Sequence, residues 1–307
     1  MRIAIVGTGG VGGGFGAALA KAGADVTFIA RGAHLAAMKS QGLKLLSPRG
    51  DIHLVPTQAT DNPAEVGQVD YVLFCVKQWD VESAGHAIKP MIGPDTAVIP
   101  LQNGVDAADR LLPILGPNAV MGGVAQISAS IAGPGVIQQV GTFMRMIFGE
   151  LDGRRSARGE KLHAMCLKAG FEATLSDQIQ TDLWMKVILL ATNASMVALA
   201  RQPIGSLRDD PDIRPLFIAA ANEVMAVGRA RGVKIPDNAI ETVMGLTDHL
   251  PPPQRPSMAL DLERGNRLEL PWLSGKVVEF GKQQGVPTPT HNLLYAMLKP
   301  YIMGKPA

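Results

Sequence analysis

Along the first half of the chain, short runs rich in Val, Ile or Phe alternate with longer stretches of helical spacing. Arg2 to Val6, Asp25 to Ala30, Tyr71 to Val76 and Ala97 to Leu101 read as strands. Between them, Val11 to Lys21, Ala33 to Gln41 and Asp80 to Ile88 read as helices. Strands that alternate with helices predict a parallel, doubly wound α/β sheet. From Ala119 to Gly149 the runs are strand-like and broken by Gly133-Pro134-Gly135 and Gly141, which predicts antiparallel hairpins appended to that sheet.

Beyond Ser176 the strand pattern fades. Asp177 to Arg201, Asp212 to Gly232, Asp237 to Leu250, Trp272 to Gln284 and Thr290 to Met303 have helical spacing. Several of these are expected to open on Asp or Thr as N-cap, and Gly232 and Gly285 to close helical runs. The expected organisation is therefore an α/β domain over 1–176 and an all-helical domain over 177–307. Pro251-Pro252-Pro253 reads as a stiff surface connector.

Composition narrows the function. Hydrophobic residues make up 47% of the 307 residues and charged ones 18%, as in a well-packed globular protein. A net charge of +2, without like-charge blocks, argues against nucleic acid or an anionic membrane as partner. Leu183 to Ala200 is long and apolar, but Lys186, Thr192, Asn193 and Ser195 interrupt it, so a buried core helix is expected. Cys75, inside an apolar run, reads as a buried structural thiol. With Cys166 it suggests neither a disulfide framework nor a metal site. A cytoplasmic, reducing location is the expectation, since the N-terminus enters a strand without a leader pattern. A homodimer is allowed, and no pattern fixes the assembly.

Candidate chemistry begins at Gly7-Thr8-Gly9-Gly10-Val11-Gly12, a Gly-x-Gly-x-x-Gly between a strand and a helix. In this context Gly7 permits the tight turn, Gly9 lets backbone approach a pyrophosphate, and Gly12 lets helix and strand pack closely. The helix N-terminus then faces the phosphates with free N–H groups. The next strand ends in Arg31, where an NAD site would place Asp or Glu. A guanidinium there matches a 2′-phosphate and cannot accept from a ribose hydroxyl, which points to NADP. The domain is accordingly expected to be of Rossmann type.

Lys77 and Asn103 each follow an apolar strand run, where they suit either a cofactor crevice or an ordinary turn. Lys186 is the one ionisable residue between Asp182 and Arg201. Two readings are open for it: a desolvated acid of lowered pKa, or a lysine whose ammonium snorkels to water. Asn193, seven positions on, shares its helix face. Ser257 and Glu269 flank a segment that otherwise looks like a solvated helix face, while Glu269 adjoins the apolar Leu270-Pro271-Trp272-Leu273.

Together these residues resemble the ketopantoate reductase (2-dehydropantoate 2-reductase) family over nearly the whole chain. The matching segments are the glycine loop, Arg31, Val76-Lys77, Gln102-Asn103-Gly104, Trp184-Met185-Lys186, and Ser257-Met258 through Asp261-Leu262-Glu263-Arg264-Gly265 to Glu269. The resemblance implies NADPH-dependent reduction of a 2-keto acid, 2-dehydropantoate first, in pantothenate biosynthesis. It implies Lys186 as general acid, Glu269 on the substrate hydroxyl, and Ser257 on the carboxylate. Asn193 stands beside these as a substrate-side candidate, and Asn103 and Lys77 would line the cofactor and substrate cleft. Leu190 and Ala194 stand where the family often has Asn, and Ser274-Gly275 where it has Asn-Gly, so substrate identity is the open part. A related two-domain dehydrogenase forming opine-type amines is the second reading. A non-catalytic dinucleotide-binding regulator is the third, disfavoured because a pure binder needs neither Lys186 nor Glu269.

Overall fold

A computed structural model describes residues 1–305, which divide into two compact units. The first comprises Met1–Gln102 and Asp106–Ile179; the second comprises Asn103–Val105 and the chain from Gln180 onward.

The first unit runs β1 (Arg2–Val6), α1 (Gly10–Lys21), β2 (Asp25–Ile29), α2 (Gly32–Gln41), β3 (Leu43–Leu46), β4 (Ile52–Leu54), β5 (Ala59–Thr60), β6 (Val69–Phe74), α3 (Val81–Ala87), β7 (Ile92–Pro100), α4 (Ala107–Leu115), β8 (Met121–Gly133), β9 (Val136–Glu150), α5 (Ala157–Lys168) and β10 (Glu172–Leu175). One sheet has the order β5-β2-β1-β6-β7 and is parallel throughout. Its side chains alternate between two cores. Ile3, Ile5, Phe28, Tyr71, Leu73, Ala97 and Ile99 pack with α1. Ala4, Val6, Val72, Phe74 and Val98 pack with Val81, Ala84 and Ile88 around α3 and with Ala108 and Leu111 of α4. Burial on both faces is why these strands are apolar at consecutive positions.

The hairpin β8–β9 corrects the sequence expectation. The chain leading into it touches the parallel sheet through one bridge, Val120 to Val98 of β7, but the hairpin itself belongs to a second sheet, ordered β10-β9-β3-β4 with β8 on β9. Within it β9 runs antiparallel to β8 and parallel to β3 and β10. Helix α1 lies between the two sheets, and its glycines follow from that. A Cβ on Gly16 would meet Phe28 and Ile5 of the first sheet at 2.5 and 2.8 Å, and one on Gly13 would meet Ile137 of the second at 2.6 Å. Cys166, rather than Cys75, is the fully buried thiol; Cys75 is partly accessible. Burial pushes both thiols up, so neither is a ready nucleophile.

The second unit is helical: α6 (Ile179–Ala200), α7 (Ile204–Arg208), α8 (Arg214–Ala230), α9 (Ala239–His249), α10 (Ser257–Arg264), α11 (Ser274–Gln284) and α12 (Pro289–Leu298). At α8, α9 and α12 the Asp and Thr caps expected from sequence are not made. Ile213, Asn238 and Thr288 occupy the N-cap positions of α8, α9 and α12 without a side-chain cap bond, while Asp210 accepts from the Asp212 and Ile213 amides ahead of α8. Gly285 does close α11 in the left-handed conformation. By length and composition α6 could cross a membrane, but 67% of its apolar window is buried. Trp184, Val187, Ile188, Ala191, Ala194 and Val197 place it at the centre of the helical core.

Candidate active site

Because β1, β2, β6 and β7 are parallel, their carboxyl ends fall along one edge of the first sheet. That edge carries Gly7, Arg31, Lys77 and Gln102. Gly7 has φ +93°, a conformation open to glycine, and a Cβ there would lie 2.8 Å from the Cys75 carbonyl carbon. A Cβ on Gly12 would lie 2.3 Å from the Gly7 carbonyl oxygen. Gly9 differs: its φ is −84°, and a Cβ would have no protein atom within 4 Å. The fold therefore demands glycine at 7 and 12 but not at 9. The open space at Gly9, at the N-terminus of α1, is what a dinucleotide pyrophosphate drawn against the backbone requires, so the loop fits the group.

Arg31 is exposed, at the N-cap of α2 directly after β2. Lys77 is exposed after β6, with Nζ 5.7 Å from the Trp79 ring centroid. Gln102, a polar residue directly after β7 and Leu101, braces this edge. Its Nε2 donates to the carbonyls of Phe74 and Val76 at 2.9 and 3.0 Å and so ties the ends of β6 and β7 together. A polar side chain directly after an apolar strand was the available signal.

The second unit assembles a different cluster. Lys186 Nζ donates to Asn103 Oδ1 at 3.0 Å, and Asn103 Nδ2 donates to Glu269 Oε2 at 3.2 Å. The charges fix the amide orientation, since an ammonium has only donors and a carboxylate only acceptors. Glu269 is 6% exposed between the fully buried Leu268 and Leu270, and its carbonyl accepts from the Trp272 amide at the 3-10 turn that follows. Part of Lys186 is accessible, yet protein closely surrounds its ammonium. Burial pushes its pKa down to about 8, with the Glu269 carboxylate pulling the other way. The result is an ammonium that is mostly protonated at neutral pH, gives up a proton readily, and stays within reach of a solute.

The structure brings Lys186, Asn103 and Glu269 together and does not bring Asn193 or Ser257 into their hydrogen-bond set. Asn193 is buried and donates to Thr247 Oγ1 of α9 at 3.2 Å. Sharing a helix face with Lys186 did not reveal that partner, 54 residues away. Ser257 is the exposed first residue of α10, after Pro256.

Comparison with known proteins places this arrangement. Residues 3–153 match the family described as Ketopantoate reductase PanE/ApbA, and residues 178–301 match its C-terminal counterpart. A 2-dehydropantoate 2-reductase of Mesorhizobium japonicum is 31% identical, with 97% of each chain covered. The crystal structure of a PanE/ApbA family ketopantoate reductase from Ralstonia eutropha superposes with a TM-score of 0.90 at 33% identity, covering 98% of each chain. The fold is shared more widely: a D-mandelate dehydrogenase solved with NADH and anilino(oxo)acetate has a TM-score of 0.89 at 23% identity, covering 98% of each chain. With both halves matched in order, a glycine loop shaped for a dinucleotide and a desolvated lysine beside a buried carboxylate, the chain belongs to the ketopantoate reductase family of oxidoreductases.

Proposed function

We propose that this protein reduces a 2-keto acid with NADPH, 2-dehydropantoate to pantoate being the first substrate to test. Residues 1–176 would hold the cofactor and 177–307 the acid. The observation that carries the reading is the half-buried Lys186–Asn103–Glu269 cluster, since a dinucleotide binder without catalysis has no use for a desolvated lysine. Gly7, Gly9 and Gly12 would seat the pyrophosphate and Arg31 the 2′-phosphate, with Lys77 and Asn103 as further contacts for cofactor and substrate. NADPH, when bound there, would supply the hydride for the carbonyl carbon.

The chain's own residues do the rest. Negative charge grows on the carbonyl oxygen as the carbon is reduced, and the Lys186 ammonium stabilises that charge and delivers the proton from Nζ. Asn103 aims Nζ through its Oδ1. Glu269 holds the substrate hydroxyl, and its charge keeps Lys186 protonated further up the pH scale. Ser257, at the start of α10, presents its hydroxyl to the carboxylate. Asn193, anchored to Thr247, serves on the substrate side of α6. NADPH oxidation measured against a panel of 2-keto acids that includes ketopantoate tests the reading. Binding of NADPH with no turnover of any carbonyl would instead favour a regulator, and turnover only with an amine present would favour the opine-type reaction.

Two further results are expected. For Arg31→Ala, KM for NADPH should rise about tenfold or more while KM for NADH stays put, because a charge-assisted bond to phosphate is worth roughly 1.5–3 kcal/mol. An unchanged cofactor preference removes Arg31 from the site. The pH profile follows from Lys186. The acid is competent while protonated, so kcat/KM for reduction should be level below its folded pKa and fall as pH rises through about 8. A profile level through pH 9 would show that another group supplies the proton.

A further inference from the structure

In its second half, helix α6 passes through the helical core with small apolar residues, Ala191, Ala194, Val197 and Ala198 among them. Such a face sets how near a neighbour sits but does little to fix where the helix stops along its axis. Two buried polar links fix it: Asn193 to Thr247 of α9, and a longer chain that starts two residues on. Ser195 Oγ lies 2.7 Å from Ser274 Oγ, which lies 2.9 Å from His291 Nδ1, and His291 Nε2 lies 3.1 Å from the Ala220 carbonyl oxygen. Ser195, Ser274 and His291 are each 0% exposed.

The Ala220 carbonyl sets the direction of every bond. A carbonyl only accepts, so Nε2 carries the proton and Nδ1 of the neutral ring accepts. Ser274 must then donate to Nδ1 and accept from Ser195. Burial pushes His291 down to about 4, against the pull of the Glu223 carboxylate and the Ala220 carbonyl, so the ring is neutral and the chain keeps this polarity at ordinary pH. The far end is itself anchored: Glu223 of α8 accepts the Thr290 and His291 amides at 2.7 and 2.9 Å, in the first turn of α12.

Ser274 also starts α11, and only the 3-10 turn Leu270–Trp272 and Leu273 separate it from Glu269. Ser195 is on the same helix as Lys186, nine residues and ~13.5 Å further along the axis. The chain thus joins the helix that bears the lysine to the turn that bears the carboxylate, by a route that avoids Asn103. We infer that Ser195–Ser274–His291 is a positioning device that sets the axial register of α6 against the Glu269 turn, and through it the separation of Lys186 from Glu269. Buried polar contacts hold register in this way because only one alignment satisfies every donor and acceptor.

The inference leans on the proposed reduction for its kinetic readout only. In ligand-free protein, the Lys186 side-chain NMR titration should move to lower pH by ~0.5 unit or more in Ser274→Ala and Ser195→Ala, as the stabilising carboxylate is less firmly held. The alkaline limb of kcat/KM should move with it. Leu207→Ala, a core truncation in α7, should lower Tm without moving either. Ser195→Ala leaves the Ser274–His291 bond in place, so it carries the test should Ser274→Ala fail to fold. Wild-type titration of Lys186 in both serine variants, or an equal shift in Leu207→Ala, overturns the inference. Shifted NMR titrations in a protein that turns over no carbonyl would uphold the register device and sink the catalytic reading instead.

Discussion

Lys186→Ala should lower kcat by ~10²-fold or more while leaving KM for NADPH close to wild type, the pattern expected when a general acid is lost. The separation is sharp because the lysine and the glycine loop belong to different units of the chain. The variant also removes the ammonium that donates to Asn103 Oδ1, and a hydrogen bond to a charged group is worth about 1.5–3 kcal/mol. Tm should therefore be recorded beside the kinetics, with activity measured well below it. Lys186→Arg is the informative companion. It keeps a positive charge near Glu269, but a guanidinium does not release its proton at working pH, so it should recover stability and little of the rate. Wild-type kcat in Lys186→Ala would show that the lysine is only a structural partner of Asn103.

Gly9→Ala should fold like the wild type and bind NADPH at least ~10-fold more weakly, as a methyl group fills the space where phosphate and backbone must meet. Gly12→Ala should do the reverse in order of cause. Its Cβ would sit 2.3 Å from the Gly7 oxygen, so Tm falls and cofactor affinity is lost only because the loop is displaced. Calorimetric titration of NADPH into each variant, with thermal unfolding alongside, separates the two. If Gly9→Ala bound as tightly as wild type, the open space at Gly9 would not be the pyrophosphate seat.

These contrasts show which parts of the molecule sequence could reveal. β1, β2, β6 and β7 were legible because burial on both faces writes an apolar run into the chain itself. The loop was legible because glycine at 7, 9 and 12 stands at set distances from a strand and a helix. The second sheet was not. β3, β4 and β10 span three or four residues each, too short for a periodicity to register, and β9 draws its parallel partners from residues 43–46 and 172–175 on either side of it. In the site, Lys186 stood out as a charge in an apolar helix, and Glu269 as a carboxylate beside an apolar run. That Asn103 joins them, and is grouped with the helical unit although it follows β7, depends on tertiary geometry. Thr247 and His291 escaped notice because a buried polar residue has no period, and its partner can lie anywhere in the chain.

Helix α1 also bears on the order in which this protein can be assembled. Five of its twelve residues are glycine, at about 1 kcal/mol each against alanine in a helix interior, so alone it would barely hold a helical turn. Part of what covers it is Ile127 and Ile137, which emerge during synthesis more than a hundred residues after the loop does. A nascent chain released short of β9 would carry the complete cofactor motif and lack the wall that keeps its helix wound. The dinucleotide seat, first to be translated, would be among the last parts of its unit to become competent.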